Sequence, residues 1–390
     1  MRKLLPALLL LLVAAVAAAQ KVSYSLRFGV SQHDFADTVQ VAYDHHRIVV
    51  PVSVGGKQLH FLLDTGASQT TIFGDAPIEG TESLGFIASH DAVGRSSDVP
   101  VVRMPPMTIG RTTFTGMQAI VQQRTVRRSD IDGIVGFDLV CKGLHLKIDA
   151  RRGLLILSDR PDSFDDRDAV RLKYRMNYHV PYIDIEPFGG YRERVLFDTG
   201  SPLLYAMNRQ SFDRCEAATR GACLTMVEGR SMGRHAIGYG GTEQRGETLF
   251  LALERLCLGT FALTDVHALT TQGGSHVGGA LLDYGTVAFL PQKRRIVFTP
   301  YDGAQQATVA NRQTDKVVVS EGGRPVVGLV WERSEHYRAG LREGDIITGV
   351  DGRQIATMAE YRLYGPKAGQ QHTIVVSNAQ GQRRELKMKW

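Results

Sequence analysis

Apolar and polar positions alternate in short runs along most of the chain, and the runs are broken by Gly and Pro, the period-two pattern of β-strands closed by turns. One order of signals occurs twice. The first copy reads RIVVPVSVGGKQLHFLLDTGAS from Arg47 to Ser68 and the second HVPYIDIEPFGGYRERVLFDTGSP from His179 to Pro202. Each predicts a strand containing a Pro, a Gly-Gly turn, a second strand and then Asp-Thr-Gly. Downstream come DGIVGFDL from Asp132 and GGALLDYG from Gly278, each followed by a basic turn and a strand, ARRGLLIL or KRRIVFT. Two β-rich halves are therefore expected, at 20–157 and 171–303, joined by the polar, Pro-containing linker 158–170. After Thr299-Pro300 the pattern changes. A polar linker at 304–314 leads to a third unit, 315–390, with an Asp-Gly hairpin in VDGRQI.

The first nineteen residues, MRKLLPALLLLLVAAVAAA, join a basic start to an apolar run and an Ala-x-Ala pattern before Gln20. This predicts a secretory signal peptide at 1–19 rather than a lasting membrane anchor. No later stretch approaches the ~18 apolar residues of a spanning helix, so the mature protein is expected to be exported, to the periplasm or the exterior, without a stable anchor. The 390 residues suffice for two or three domains, and 43% hydrophobic with 22% charged residues is ordinary globular usage. Without Arg2 and Lys3 the formal charge of +6 falls by two, with both signs interspersed, which argues against a nucleic-acid partner.

Other chemistries find weak support. Gly229-Arg230-Ser231-Met232-Gly233 satisfies G-x-S-x-G, but the following GRHAIGYGGTE is too Gly-rich for the helix that a nucleophile elbow needs, so Ser231 reads as a turn or flap base. No H-E-x-x-H, zinc-ribbon spacing or dinucleotide-binding glycine motif occurs; neither metal nor cofactor is expected. Cys215 and Cys223 bound a short polar stretch, CEAATRGAC, and in an oxidising compartment they are the best candidates for a local disulfide. Cys141 and Cys257 lie in strand-like contexts, either as buried thiols or as a second bridge.

The two Asp-Thr-Gly copies place Asp64 and Asp198 134 residues apart, each at the end of an apolar strand. A lone copy reads equally as a turn; the repeat sets the pair apart. From about 45 to 303 the chain resembles aspartic peptidases of the pepsin and retroviral type. The resemblance implies a mainly β, two-lobed pseudo-twofold fold in which Asp64 and Asp198 share one water and cleave peptide bonds within a peptide or protein substrate. Two carboxyl groups at hydrogen-bonding distance share a proton, a behaviour for which aspartic proteases are the standard worked case. It also implies that Thr65 and Thr199 lock the two loops, that Gly66 and Gly200 allow close approach, and that Ser201 donates to Asp198 where Ala67 has no hydroxyl. An apolar-apolar-Gly segment should pack under each loop. Ile134, Val135 and Gly136 fit in the first half, whereas Ala280, Leu281 and Leu282 lack the Gly. Flaps are expected near His90 to Asp98 and Ile237 to Thr242, with Tyr239 as a substrate-binding aromatic. If the second half were too degenerate for chemistry, a peptide-binding protein of the same fold would remain.

The run Ala339-Gly340-Leu341-Arg342-Glu343-Gly344-Asp345-Ile346-Ile347 resembles the helix-to-strand corner of a bacterial PDZ domain, over about the last 75 residues. The resemblance implies a small β/α domain, with Met358 to Tyr364 as its second helix, that either captures a C-terminal peptide, with Lys316 or Arg324 as recruiting charges, or braces the lobes.

Overall fold

The computed structural model describes residues 20–90, 96–123, 131–160, 164, 169–235, 237–238, 241–309 and 315–390. The predicted signal peptide therefore lies outside the described residues, as do Tyr239, residues 161–163 and 165–168 of the first linker, and residues 310–314 of the second. The chain is mainly β. In the first half, Arg47–Val54 and Lys57–Leu63 form the predicted Gly-Gly hairpin, with Ile48 opposite Leu63, inside a sheet of eleven described strands. In the second half, Val180–Phe188 and Tyr191–Asp198 do the same, inside a sheet of nine described strands.

The halves are not separate bodies, because a six-stranded sheet takes three described strands from each. His145–Asp149 pairs with Gly285–Leu290 where the halves meet, with Leu146 opposite Phe289 and Ile148 opposite Val287. Both strands are almost fully buried, and Gly285–Leu290 is nearly all apolar, as suits a strand covered on both faces. Phe289 packs edge-on against Phe137 at 5.3 Å and Phe197 at 5.6 Å. Phe137 follows Gly136 and Phe197 precedes Asp198, so one ring from the shared sheet supports both Asp-Thr-Gly regions.

Both expected flap segments are flanked by antiparallel strands, while residues 91–95, 236 and 239–240 within them lie outside the described residues. Glu82–His90 pairs with Ser96–Arg103, and Val227–Gly233 pairs with Gly246–Leu258, carrying the small pair Ile237–Gly238 and Gly241–Thr242 at its tip. Ser231 sits mid-strand opposite Thr248, which excludes a strand-to-helix elbow. Three local expectations fail. CEAATRGAC is the end of helix Arg209–Ala218 followed by a 3-10 turn, Ala222–Met226, rather than a polar loop; Asn208 caps the helix by accepting from the Gln210 and Ser211 N–H groups. Cys215 and Cys223 are both buried there as neighbouring free thiols, not as the predicted disulfide. Within the second expected linker, Gln306–Thr308 is a strand paired in parallel with Phe261–Thr271.

Residues 316–389 form a sheet of six described strands with helices Glu335–Arg338 and Met358–Tyr364. Thr357 and Glu360 form a reciprocal capping box at the second helix. The unit has its own core, including Val327, Leu341, Ile347, Ile374 and Leu386. It is also docked. Leu329 packs with Phe250 and Leu269 of the second half, and Trp331 stacks on Phe250 at 5.4 Å. The Arg234 N–H donates to the Gly328 carbonyl at 2.8 Å, and Arg245 forms a two-pronged ion pair with Glu343 at 2.7 Å. Lys316 is not a free recruiting charge, since its ammonium lies 3.8 Å from Asp315 and 4.5 Å over the Trp390 ring.

Candidate active site

Each Asp-Thr-Gly is delivered by the second strand of its hairpin and gripped by a short parallel strand. Gly133–Val135 runs beside Phe61 to Leu63, and the Asp64 N–H donates to the Val135 carbonyl at 3.0 Å. His276–Gly278 runs beside Leu196 to Asp198 in the same way. Asp64 Oδ1 accepts from the N–H groups of Gly66 at 2.8 Å and Ala67 at 3.1 Å. Asp198 Oδ1 accepts from Gly200 at 2.9 Å and Ser201 at 3.2 Å. Two backbone donors on one oxygen fix the direction of each carboxyl group.

The loops interlock beneath the carboxyls. The Thr65 N–H donates to Thr199 Oγ1 and the Thr199 N–H to Thr65 Oγ1, both at 3.1 Å. The Thr65 hydroxyl donates to the Phe197 carbonyl at 2.6 Å, and the Thr199 hydroxyl to the Leu63 carbonyl at 2.8 Å. Both threonines are 1% exposed, so these crossed bonds work without competition from water. The glycines clear the way for the opposite half. A Cβ at Gly66 would lie 2.7 Å from Asp198 Oδ1, and one at Gly200 would collide with the Asp64 carboxyl group. Side chains at either position would drive the acids apart.

The two carboxyl groups are brought together, each lying against the glycine of the opposite loop, and two acids so placed share a proton. Asp64 is held well above the ordinary carboxyl range, first by desolvation and then by the charge of Asp198. Asp198 is also raised by desolvation, but the hydrogen bond from Asp64, its backbone donors and the Arg47 charge favour its ionised form. Burial thus holds both acids up, the Arg47 charge favours ionisation on the Asp198 side, and the pair titrates as one unit. Arg47 is placed for this role by its own bond, Nε to the Gly200 carbonyl at 2.9 Å. Tyr182 stands close enough for Asp198 to raise its pKa, although burial is the larger cause.

Two sequence-based expectations need correction. The second-half counterpart of Ile134-Val135-Gly136 is His276-Val277-Gly278, not Ala280-Leu281-Leu282, because pairing with the Asp strand fixes the register. The glycine is thus present. A Cβ at Gly136 would lie 2.9 Å from the Ala67 carbonyl oxygen, and one at Gly278 2.7 Å from that of Ser201. Ala280, Leu281 and Leu282 instead form the buried 3-10 turn Gly279–Asp283, where the first half has helix Asp138–Cys141. The Ser201 hydroxyl also does not serve Asp198; it is 2.9 Å from His276 Nε2.

Other residues around the loops carried no motif. Asp138 is fully buried and accepts from the Thr70 N–H at 2.7 Å, the Thr70 hydroxyl at 3.0 Å and the Tyr24 hydroxyl at 2.7 Å, tying the residues after Asp64 to the N-terminal segment. Across the halves, His46 approaches the Pro202 carbonyl through Nδ1 at 3.1 Å and Asp283 through Nε2 at 3.2 Å. The hydrogen bond with Asp283 raises the His46 pKa. Such partners become visible only when a pairing register brings distant segments together.

Among the described residues, no group of three His, Cys, Asp or Glu side chains is placed to hold a metal, and no helix is long and apolar enough to cross a membrane. Comparison with curated proteins finds no match. Among solved structures, the chain is similar to the aspartic proteinase from Irpex lacteus at 15% identity and a TM-score of 0.47, over 69% of this chain and 98% of that one. Residues 50–139, the stretch that carries Asp64, Thr65, Gly66 and Gly136, match the family model for aspartyl proteases, which supports a peptide-hydrolysing reading of this site.

Proposed function

We propose that the protein is an exported aspartic endopeptidase whose catalytic residues are Asp64 and Asp198, with residues 315–390 as a PDZ-like module that braces the second lobe. One observation carries the reading: two carboxyl groups, one from each half and each lying against the glycine of the opposite loop, meet above reciprocally bonded threonines. In the proposed reaction, ionised Asp198 takes a proton from water as its oxygen bonds to the peptide carbonyl carbon, and Asp64 gives its proton to the carbonyl oxygen. When the C–N bond breaks, the departing nitrogen takes the proton held by Asp198, and Asp64 recovers its own. No acyl-enzyme, metal or cofactor takes part.

The leader-like sequence before Gln20 supports export, and the docking of Leu329 and Trp331 favours bracing over peptide capture by the module. A binding-only protein is disfavoured, because the second half retains the glycine under its loop. In the direct test, purified protein is incubated with a diverse peptide mixture. Asp64→Asn and Asp198→Asn should each lower cleavage about 1,000-fold or more while the protein stays folded. Near-wild-type turnover by either variant, or loss of turnover on adding a chelator, would sink the mechanism. Cleavage confined to terminal residues would correct the endopeptidase assignment.

A further inference from the structure

His276 stands where the first half has Ile134, and it changes what the residue after the second Asp-Thr-Gly can do. Its Nδ1 lies 3.0 Å from the Gly274 carbonyl oxygen and its Nε2 2.9 Å from the Ser201 hydroxyl. A carbonyl oxygen only accepts, so a neutral ring carries its proton on Nδ1 and presents Nε2 as an acceptor. The single Ser201 hydroxyl proton is then committed to the imidazole. Desolvation lowers the His276 pKa, in keeping with a neutral ring.

We propose that His276 is a positioning residue that draws the Ser201 hydroxyl away from Asp198, so that neither carboxyl group of the pair receives a side-chain hydroxyl and the pair keeps its shared proton toward neutral pH. The halves reach this state by different means: Ala67 has no hydroxyl, and Ser201 gives its own away. A donor to a carboxylate stabilises the ionised form, so withholding it favours the proton-bearing pair. The charged and titratable groups facing the pair are Arg47, bonded to the Gly200 carbonyl, and Tyr182; His46 and Asp283 are bonded to each other beside the loop. Beside His276, Ser275 donates its hydroxyl to Glu193, which also accepts from Tyr205. The consequence for cleavage rests on the aspartic-peptidase reading, whereas the proton affinity of the pair can be measured without any cleavage.

The experiment titrates the two carboxyl groups by carbon NMR of protein labelled at aspartate, alongside the basic limb of kcat/KM. His276→Val frees the hydroxyl and should move the shared-proton titration down by about one pH unit. Adding Ser201→Ala to that variant should return it to the wild-type position. Ser201→Ala alone should leave the titration in place, as should His276→Gln, whose amide oxygen can accept the same hydroxyl. An upward shift in Ser201→Ala alone would show that the hydroxyl already serves Asp198 and would overturn the proposal, even if His276→Val fails to fold. An unmoved titration in folded His276→Val would overturn it too. A titration that follows the expected order in a protein that cleaves no peptide would remove the peptidase reading and leave the role of His276 standing.

Discussion

Asp64 and Asp198 follow the same three-residue motif, yet their surroundings divide the labour between them. Arg47 reaches the Gly200 loop and favours charge on Asp198, while Asp64 is desolvated and faces that charge. An acid whose pKa is raised by folding contributes its full stability below the unfolded pKa, about 4, and loses it as pH rises through the folded value. Asp64→Asn removes that penalty. Its stability relative to wild type should therefore increase from about pH 4 until the pair has titrated, then level off, as followed by urea denaturation at a series of pH values. A constant difference across that range would mean that folding does not raise the pKa of Asp64. The variant should thus be inactive and, near neutral pH, more stable than wild type.

At the scale of elements, a three-residue strand determines whether a loop can hold its acid. Gly133–Val135 and His276–Gly278 lie beside the Asp strands, and the glycine at the end of each contact lets the backbone of the following loop pass close by. Because the obstructing atoms at Gly278 are backbone, no side-chain rotation can relieve a substitution there. Gly278→Ala should push the Ser201 loop outward and lower kcat/KM about 100-fold, the scale of loss expected from displacing reacting groups by an ångström. Gly189→Ala, at a turn with open space around the new methyl group, should be near neutral and serves as the control. Equal effects of the two variants would contradict the close-approach argument.

At the scale of the whole molecule, the C-terminal unit is less separable than a polar linker suggests. Gln306–Thr308 adds a strand to the second half, and Leu329 is completely buried against Phe250 and Leu269. Leu329 and Trp331 pack on Phe250 of strand Gly246–Leu258, Leu329 also on Leu269 of Phe261–Thr271, and Gly328 bonds Arg234 just beyond Val227–Gly233. Ending the chain near Tyr301 would remove the added strand and uncover that apolar surface. Ending it after Val309 should keep the strand but still lower the melting temperature and slow cleavage of short and long peptides alike, as measured by calorimetry and kcat/KM. Leu329→Ala should reproduce part of this at a cost of about 2–4 kcal/mol, whereas removing the exposed Arg245–Glu343 pair should cost at most about 1 kcal/mol. A selective rise in KM for long peptides would instead identify the unit as a substrate-capturing module.

The sequence alone located the repeated hairpins and the two Asp-Thr-Gly segments at their strand ends, and the Asp-Gly turn of the last unit. Each is a local pattern: alternation sets strands, Gly-Gly and Asp-Gly set turns, and a repeated tripeptide at a strand end stands out from its background. Only tertiary structure decided the rest. The second glycine segment is identified by parallel pairing with a strand about eighty residues earlier, so a search by residue type passed over His276-Val277-Gly278 for the apolar run beside it. The partner of the Ser201 hydroxyl, the reach of Arg47 across the halves and the docking of Leu329 follow from which segments the folded chain brings together. Local sequence carries backbone preference and burial, whereas the proton balance of two carboxyl groups depends on atoms that only the assembled sheets place beside them.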